Sequence, residues 1–217
     1  MAVAVEKYRL LQTTLAAKKV TLVAVSKLKP AADIQSLYNE GHRHFGENYV
    51  QELVDKQSQL PNDIQWHFIG HLQSNKVKYI APFVHLIHGI DSLKLLQEVN
   101  KQAAKNQRII QCLLQVHIAT EDTKHGMNAD ELATTLDHIS NNPLTHVQVV
   151  GLMGMASFTD DTTQLSKEFS TLQQLYQQYQ HLGFNTLSMG MSGDYELAIS
   201  HGSNMVRIGS LLFGHRS

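Results

Sequence analysis

The chain has 217 residues, 42% of them hydrophobic and 17% charged, with a formal net charge of −1. That length supports a substantial core, and so small a net charge gives no field that would draw the protein to nucleic acid or to an anionic membrane. A single cysteine excludes an internal disulfide, the opening residues 1–10 carry charge too early for a signal peptide, and no stretch approaches a membrane span; a soluble, cytoplasmic protein is expected.

Residues 4–18 read as a helix with Leu10, Leu11 and Leu15 on one face. Thr21-Leu-Val-Ala-Val-Ser-Lys-Leu-Lys-Pro30 then gives a short apolar run stopped by a breaker, the pattern of a strand buried on both faces. Strand-like runs follow at 43–46, 65–70, 84–89, 109–117, 147–152, 186–190 and 205–208. Helix-like segments at 31–41, 48–58, 74–80, 92–105, 128–140, 161–182 and 193–201 separate them. Asp91-Ser92 and Asn128 are capping residues, and Gly41, Gly183 and Gly202 sit where helices should stop. In 161–182 a stripe of Leu165, Phe169, Leu172, Tyr176 and Tyr179 lies opposite a glutamine-rich solvated face. Strict alternation argues for a parallel sheet, and about eight strands without a break favour a closed (β/α)8 barrel spanning 1–217. The first strand lacks a G-x-G-x-x-G turn, which weakens a dinucleotide reading. Cys112 falls in an apolar run and reads as a buried, inert thiol.

A barrel gathers its strand ends at one mouth. That would bring Lys27 near Glu47 and Asn48, Gly70 and His71, Lys124, Met153 and Gly154, residues 189–194, and residues 207–210. A lysine at an apolar rim loses solvation and can attack an aldehyde to form a Schiff base; the bland alternative is a side chain that snorkels to solvent, as expected for Lys29. The turn Ser188-Met-Gly-Met-Ser-Gly-Asp194 and the strand end Arg207-Ile-Gly-Ser210 each open a helix, and together they suit a phosphate. Equally, Ser192 is a simple N-cap and Gly209 a turn residue. Amine plus phosphate suggests either pyridoxal 5′-phosphate or a phosphosugar handled by an aldolase. Arg207 points into the same space, towards a pyridine nitrogen or into an ion pair with Asp194 or Glu196.

The segments Ala24-Val-Ser-Lys-Leu-Lys-Pro30, Gly41-His-Arg-His-Phe-Gly-Glu-Asn-Tyr-Val-Gln-Glu52, Trp66-His-Phe-Ile-Gly-His-Leu-Gln-Ser-Asn-Lys76, Leu187-Ser-Met-Gly-Met-Ser192 and Met205-Val-Arg-Ile-Gly-Ser-Leu-Leu-Phe-Gly214 carry a resemblance. The chain resembles the pyridoxal phosphate homeostasis protein family, single-domain relatives of the alanine racemase barrel. The resemblance implies that Lys27 holds pyridoxal 5′-phosphate as a covalent aldimine and that Asn48 lies by the ring. It also implies that Arg207 meets the pyridine nitrogen, while Ser192, Gly209 and Ser210 hold the phosphate. Three positions depart from the family's pattern: Ser210 stands for threonine, His117-Ile-Ala-Thr120 replaces an Asn-x-Ser-Gly-type stretch, and Gly193 stands where an acidic or small residue is common.

An arginine at the ring nitrogen disfavours its protonation and weakens the cofactor as an electron sink. Racemisation also needs a second acid or base on the opposite face. In alanine racemases that group comes from an additional β domain, which is not expected after residues 215–217. The expected function is therefore cofactor homeostasis without robust catalysis, by a monomer or weak dimer delivering to apo-enzymes. A weak amino-acid racemase, with Lys27 as base and a loop tyrosine as partner, is the alternative. No metal site is expected: His67 and His71 lack the helical spacing of zinc motifs, and His42/His44 and His85/His88 have no cysteine or carboxylate partner in sequence.

Overall fold

The computed structural model describes residues 3–121 and 125–214. Eight parallel strands close in sequence order: β1 (Thr21–Val25), β2 (His44–Glu47), β3 (Gln65–Phe68), β4 (Leu86–Ile90), β5 (Ile110–Val116), β6 (Val147–Gly154), β7 (Thr186–Ser188) and β8 (Met205–Ile208). Pairing of Thr21 with Met205 and of Val23 with Arg207 seals the barrel. The intervening helices are α2 (Ala31–Asn39), α3 (Val50–Gln57), α4 (Val77–Ile80), α5 (Leu93–Lys105), α6 (Ala129–Asn141), α7 (Thr162–Tyr179) and α8 (Tyr195–Ser200). They are framed by α1 (Val5–Ala17) before the barrel and α9 (Ser210–Phe213) after β8. The (β/α)8 architecture read from the strand–helix alternation is the one observed.

Local chemistry explains several boundaries. Ser92 Oγ accepts from Leu95 N, and Asn128 forms a reciprocal capping box with Glu131. Gly41, Gly183 and Gly202 all take positive φ just past helical turns. In α1 the buried residues are Tyr8, Leu11 and Leu15, whereas Leu10 is 72% exposed. Leu10 lies about 100° round the helix from Leu11, so the stripe runs through Tyr8 and leaves Leu10 outside it.

The side chains divide into two cores. Phe45, Trp66, Phe68, Phe169 and Leu172 belong to the large cluster between barrel and helices. Val23, Leu86, Leu113, Val150, Met153 and Met205 form a smaller cluster that fills the lumen. The lumen also holds polar groups in a hydrogen-bonded column. His44 Nδ1 meets His67 Nε2 at 3.0 Å, His67 Nδ1 meets His88 Nε2 at 2.9 Å, and His88 Nδ1 meets Ser188 Oγ at 3.2 Å. Cys112 is fully buried, and burial pushes its thiol well above the usual range, as an inert core cysteine requires.

Candidate functional site

At the carboxyl ends of the strands a cavity of about 770 Å³ opens, within the roughly 300–1,000 Å³ of small-molecule sites. Lys27, Asn48, Ser192, Arg207, Gly209 and Ser210 all line it. Residues more than 180 apart in sequence meet here because parallel strands deliver all their ends to one mouth.

Lys27 is half-buried in the turn directly after β1. The next residue, Leu28, has φ +60, a conformation that disfavours a side chain by roughly 1–2 kcal/mol. Three charged groups beneath hold this turn. Leu28 N donates to Glu52 Oε1 at 2.6 Å, and Lys56 Nζ donates to Glu52 Oε1 and Glu47 Oε1, each at 2.7 Å. Ser26 Oγ donates to the same Glu47 oxygen at 2.6 Å. Burial pushes the Glu47 carboxyl up to about 7, against the pull of Lys56.

Glu47 therefore supports the mouth from behind and does not line it. A Cβ on Gly46 would meet Val23 Cγ1 at 2.9 Å, so Gly46 faces the lumen. Strand alternation then turns Glu47 outward towards α3. Asn48, one residue on, lines the cavity, and its Oδ1 is buried with no hydrogen-bond partner among the described residues. Gly70 packs against the Asn48 backbone so closely that a Cβ would lie 2.2 Å from Asn48 O, which fixes the asparagine in place.

Arg207 is 4% exposed. Its NH1 donates to Ser188 O at 2.9 Å and Ser188 Oγ at 2.6 Å, and its NH2 to Gly154 O at 2.9 Å. Among the described residues no carboxylate forms an ion pair with it, so the Asp194 or Glu196 pairing is not what anchors this side chain. Burial lowers its pKa to about 10, with Asp194 acting in the other direction, and it stays a cation at pH 7.

Ser192 does not cap α8. That helix begins three residues later, and Ser192 Oγ instead accepts from Gly209 N at 3.2 Å, tying the turn after β7 to the end of β8. Asp194 Oδ1 accepts from Met191 N at 2.6 Å inside the same turn. Gly190, at φ +95, approaches α8 so tightly that a Cβ would lie 2.6 Å from Ala198 Cβ. Lys29 does not simply point to solvent: its Nζ donates to Phe213 O at 2.8 Å, closing the far wall.

Some expected mouth residues lie elsewhere. His71 pairs with Asp91 at 3.2 Å and stacks on His125 at 4.1 Å, outside the cavity. Met153 packs in the lumen, and Lys124 lies outside the described residues. His117, first in the stretch that departs from the family's pattern, bonds Ala119 O at 2.9 Å and does not line the cavity. The loop after β6, by contrast, was not singled out from the sequence. Ser157, Phe158, Thr159 and Asp160 form one wall, with Phe158 97% exposed at its edge. Glu168 anchors the loop by accepting from Ser157 N and Ser157 Oγ, each at 2.6 Å. The cluster Ala156-Ser-Phe-Thr-Asp-Asp161 carries the turn chemistry that marks a loop there.

Comparisons with known proteins agree with this fold. The family profile described as alanine racemase, N-terminal domain, matches residues 4–217. The pyridoxal phosphate homeostasis protein of Haemophilus influenzae is 39% identical over 206 residues, covering 91% of this chain and 86% of that one. PipY of Synechococcus elongatus, solved with pyridoxal phosphate bound, superposes with a TM-score of 0.88 at 35% identity, covering 96% of this chain and 99% of PipY. Alanine racemase from Bartonella henselae shares the fold, with a TM-score of 0.73 at 17% identity over 94% of this chain and 59% of the racemase. On the profile match and the identity to its curated relatives, the chain belongs to the alanine racemase N-terminal domain family and, within it, to the pyridoxal phosphate homeostasis proteins.

Proposed function

We propose that this chain binds pyridoxal 5′-phosphate in the upper cavity and serves cofactor homeostasis in the cytoplasm, carrying the cofactor covalently on Lys27 and passing it to apo-enzymes. The observation that carries this reading is the convergence of Lys27, Asn48, Arg207, Ser192, Gly209 and Ser210 on one cavity. The donor set fits the group. Lys27 offers a primary amine, Asn48 a buried amide with its oxygen unpartnered, and Ser192 and Ser210 offer hydroxyls beside the Gly209 backbone. Arg207 supplies a cation held rigid by Ser188 and Gly154. When bound, the cofactor supplies an electrophilic aldehyde and a conjugated ring.

The residues favour holding over turnover. A permanent cation at Arg207 disfavours a second positive charge on an adjacent ring nitrogen. Among the described residues that line the cavity there is no tyrosine to act as a second acid or base opposite Lys27. Among the described residues, no helix is long and apolar enough to cross a membrane.

The test loads the purified protein with pyridoxal 5′-phosphate and offers it to an apo-enzyme, with alanine racemisation followed in parallel. Recovery of apo-enzyme activity from loaded wild type, without racemisation above buffer, is the expected result. Racemisation that disappears in Lys27→Ala, with no transfer, would move the assignment to a weak racemase.

A further inference from the structure

We propose that the imidazoles of His44, His67 and His85 form a binding site for a borderline divalent transition ion such as Zn²⁺, at the amino-terminal mouth of the barrel. The assignment does not rest on the cofactor reading, because Lys27 lies at the opposite mouth. His44 opens β2, His67 lies within β3, and His85 immediately precedes β4. The spacing of successive β/α units brings all three to one rim, although their separations in sequence match no zinc motif.

The ligand atoms of the three rings lie within 4.8 Å of one another. His44 Nδ1 and His67 Nε2 are already 3.0 Å apart, close to the roughly 3.3 Å edge of a tetrahedral site with metal–nitrogen bonds of about 2.0–2.1 Å. The half-buried His85 ring stands 6.0 Å from the His44 ring and 5.4 Å from the His67 ring, centroid to centroid, and no hydrogen bond among the described residues holds it away from them. His67 presents its other nitrogen, Nδ1, to His88 Nε2 at 2.9 Å, and His88 continues to Ser188. Such an outer hydrogen bond fixes the ring orientation and tautomer of a metal ligand.

An all-imidazole set selects Zn²⁺, Co²⁺, Ni²⁺ or Cu²⁺ over Mg²⁺ and Ca²⁺. The hydrogen bond between His44 Nδ1 and His67 Nε2 gives way on binding: with His44 protonated at Nε2, both facing nitrogens offer lone pairs to the ion. His44 and His85 are only half-buried, which leaves a path for the ion and for a water as fourth ligand. The field of Arg108 reaches His85 and opposes a cation, although its guanidinium is turned onto the Ala81 and Val84 carbonyls.

Protein purified without a histidine tag and stripped of metal is titrated with Zn²⁺ by calorimetry. His44→Gln, His85→Gln and a His71→Gln/Asp91→Asn control are treated alike, since His71, Asp91 and His125 form a second cluster on the opposite side. The expected result is one equivalent of Zn²⁺ in wild type and control, weakened roughly tenfold or more by either His44→Gln or His85→Gln. No binding in wild type, or binding lost only in the control, overturns the proposal. If a rim variant fails to fold, the Co²⁺ difference spectrum of wild type decides: intense tetrahedral visible bands support the site, and the pale spectrum of the hydrated ion overturns it.

Discussion

The ammonium of Lys56 donates to the carbonyl oxygen of Ser26 at 2.8 Å, binding α3 to the last residue before Lys27. The same nitrogen bridges Glu47 and Glu52, and Glu52 holds the Leu28 amide. The lysine that faces the cavity is thus held by a second, buried lysine that never reaches it. Lys56→Met would leave two carboxylates facing each other in a dry site, and should destabilise the fold by about 3–5 kcal/mol. It should also weaken pyridoxal 5′-phosphate binding by loosening the Lys27 turn. The double variant Lys56→Met/Glu47→Gln should recover part of the stability in urea unfolding. Equal stability of Lys56→Met and wild type would remove this support role.

Ser188 links the arginine of the site to the imidazole column, receiving Arg207 NH1 at 2.6 Å and meeting His88 Nδ1 at 3.2 Å. Ser188→Ala takes the partner from His88 Nδ1 and removes the hydroxyl bond of Arg207, and should lower stability by about 1.5–3 kcal/mol. Cofactor affinity should fall with it, because Arg207 would keep only carbonyl contacts. Unfolding curves and cofactor titration measure the two effects separately.

Two glycines in one turn make a matched pair. Gly190→Ala forces a Cβ to within 2.6 Å of Ala198 Cβ at φ +95, and should cost roughly 1–3 kcal/mol. At Gly193 nothing lies within 4 Å of an added Cβ, so Gly193→Ala should leave thermal stability nearly unchanged. Similar melting temperatures for the two variants would contradict the described turn.

The fold was legible because strands such as β1 and β4 are short apolar runs with a breaker or cap beyond them, and a parallel barrel buries such runs on both faces. That the six expected residues line one cavity was legible because strand ends converge. Less visible was the direction of a side chain at a strand end. Glu47 and Asn48 are adjacent, yet one faces a helix and the other the cavity, and which is which depends on the face that Gly46 turns to Val23 in the closed barrel. Ser192 looked like a cap because it shortly precedes α8, but its Oγ accepts from Gly209 N on the neighbouring strand end, a contact that no local pattern encodes. The imidazole column was hidden for a related reason: its members are separated by whole β/α units.

Acid should unfold this protein earlier than its carboxylates alone require. His42 is buried against the edges of Tyr8 and Phe45, and burial lowers its pKa from 6.5 to about 4. Below pH 6.5 the unfolded chain takes up a proton that the folded chain refuses until about pH 4. The stabilisation is therefore complete above pH 6.5 and is lost as pH falls towards 4, by roughly 3 kcal/mol. His44, His67 and His88 shift in the same direction. Glu47, raised to about 7, acts oppositely: its contribution is present below about 4.5 and fades as pH rises through 7. Urea midpoints should fall from pH 6.5 downwards, and less steeply in His42→Phe, which keeps an aromatic ring in place. A flat profile to pH 5 would contradict the buried neutral imidazoles.

In the proposed function one amine, that of Lys27, anchors the cofactor. The most direct test is borohydride reduction of the loaded protein followed by peptide mapping. A single pyridoxyl-modified peptide containing Lys27 is expected, and none in Lys27→Ala. Modification centred on Lys29 or another lysine, or an unmodified Lys27 in saturated protein, would contradict it.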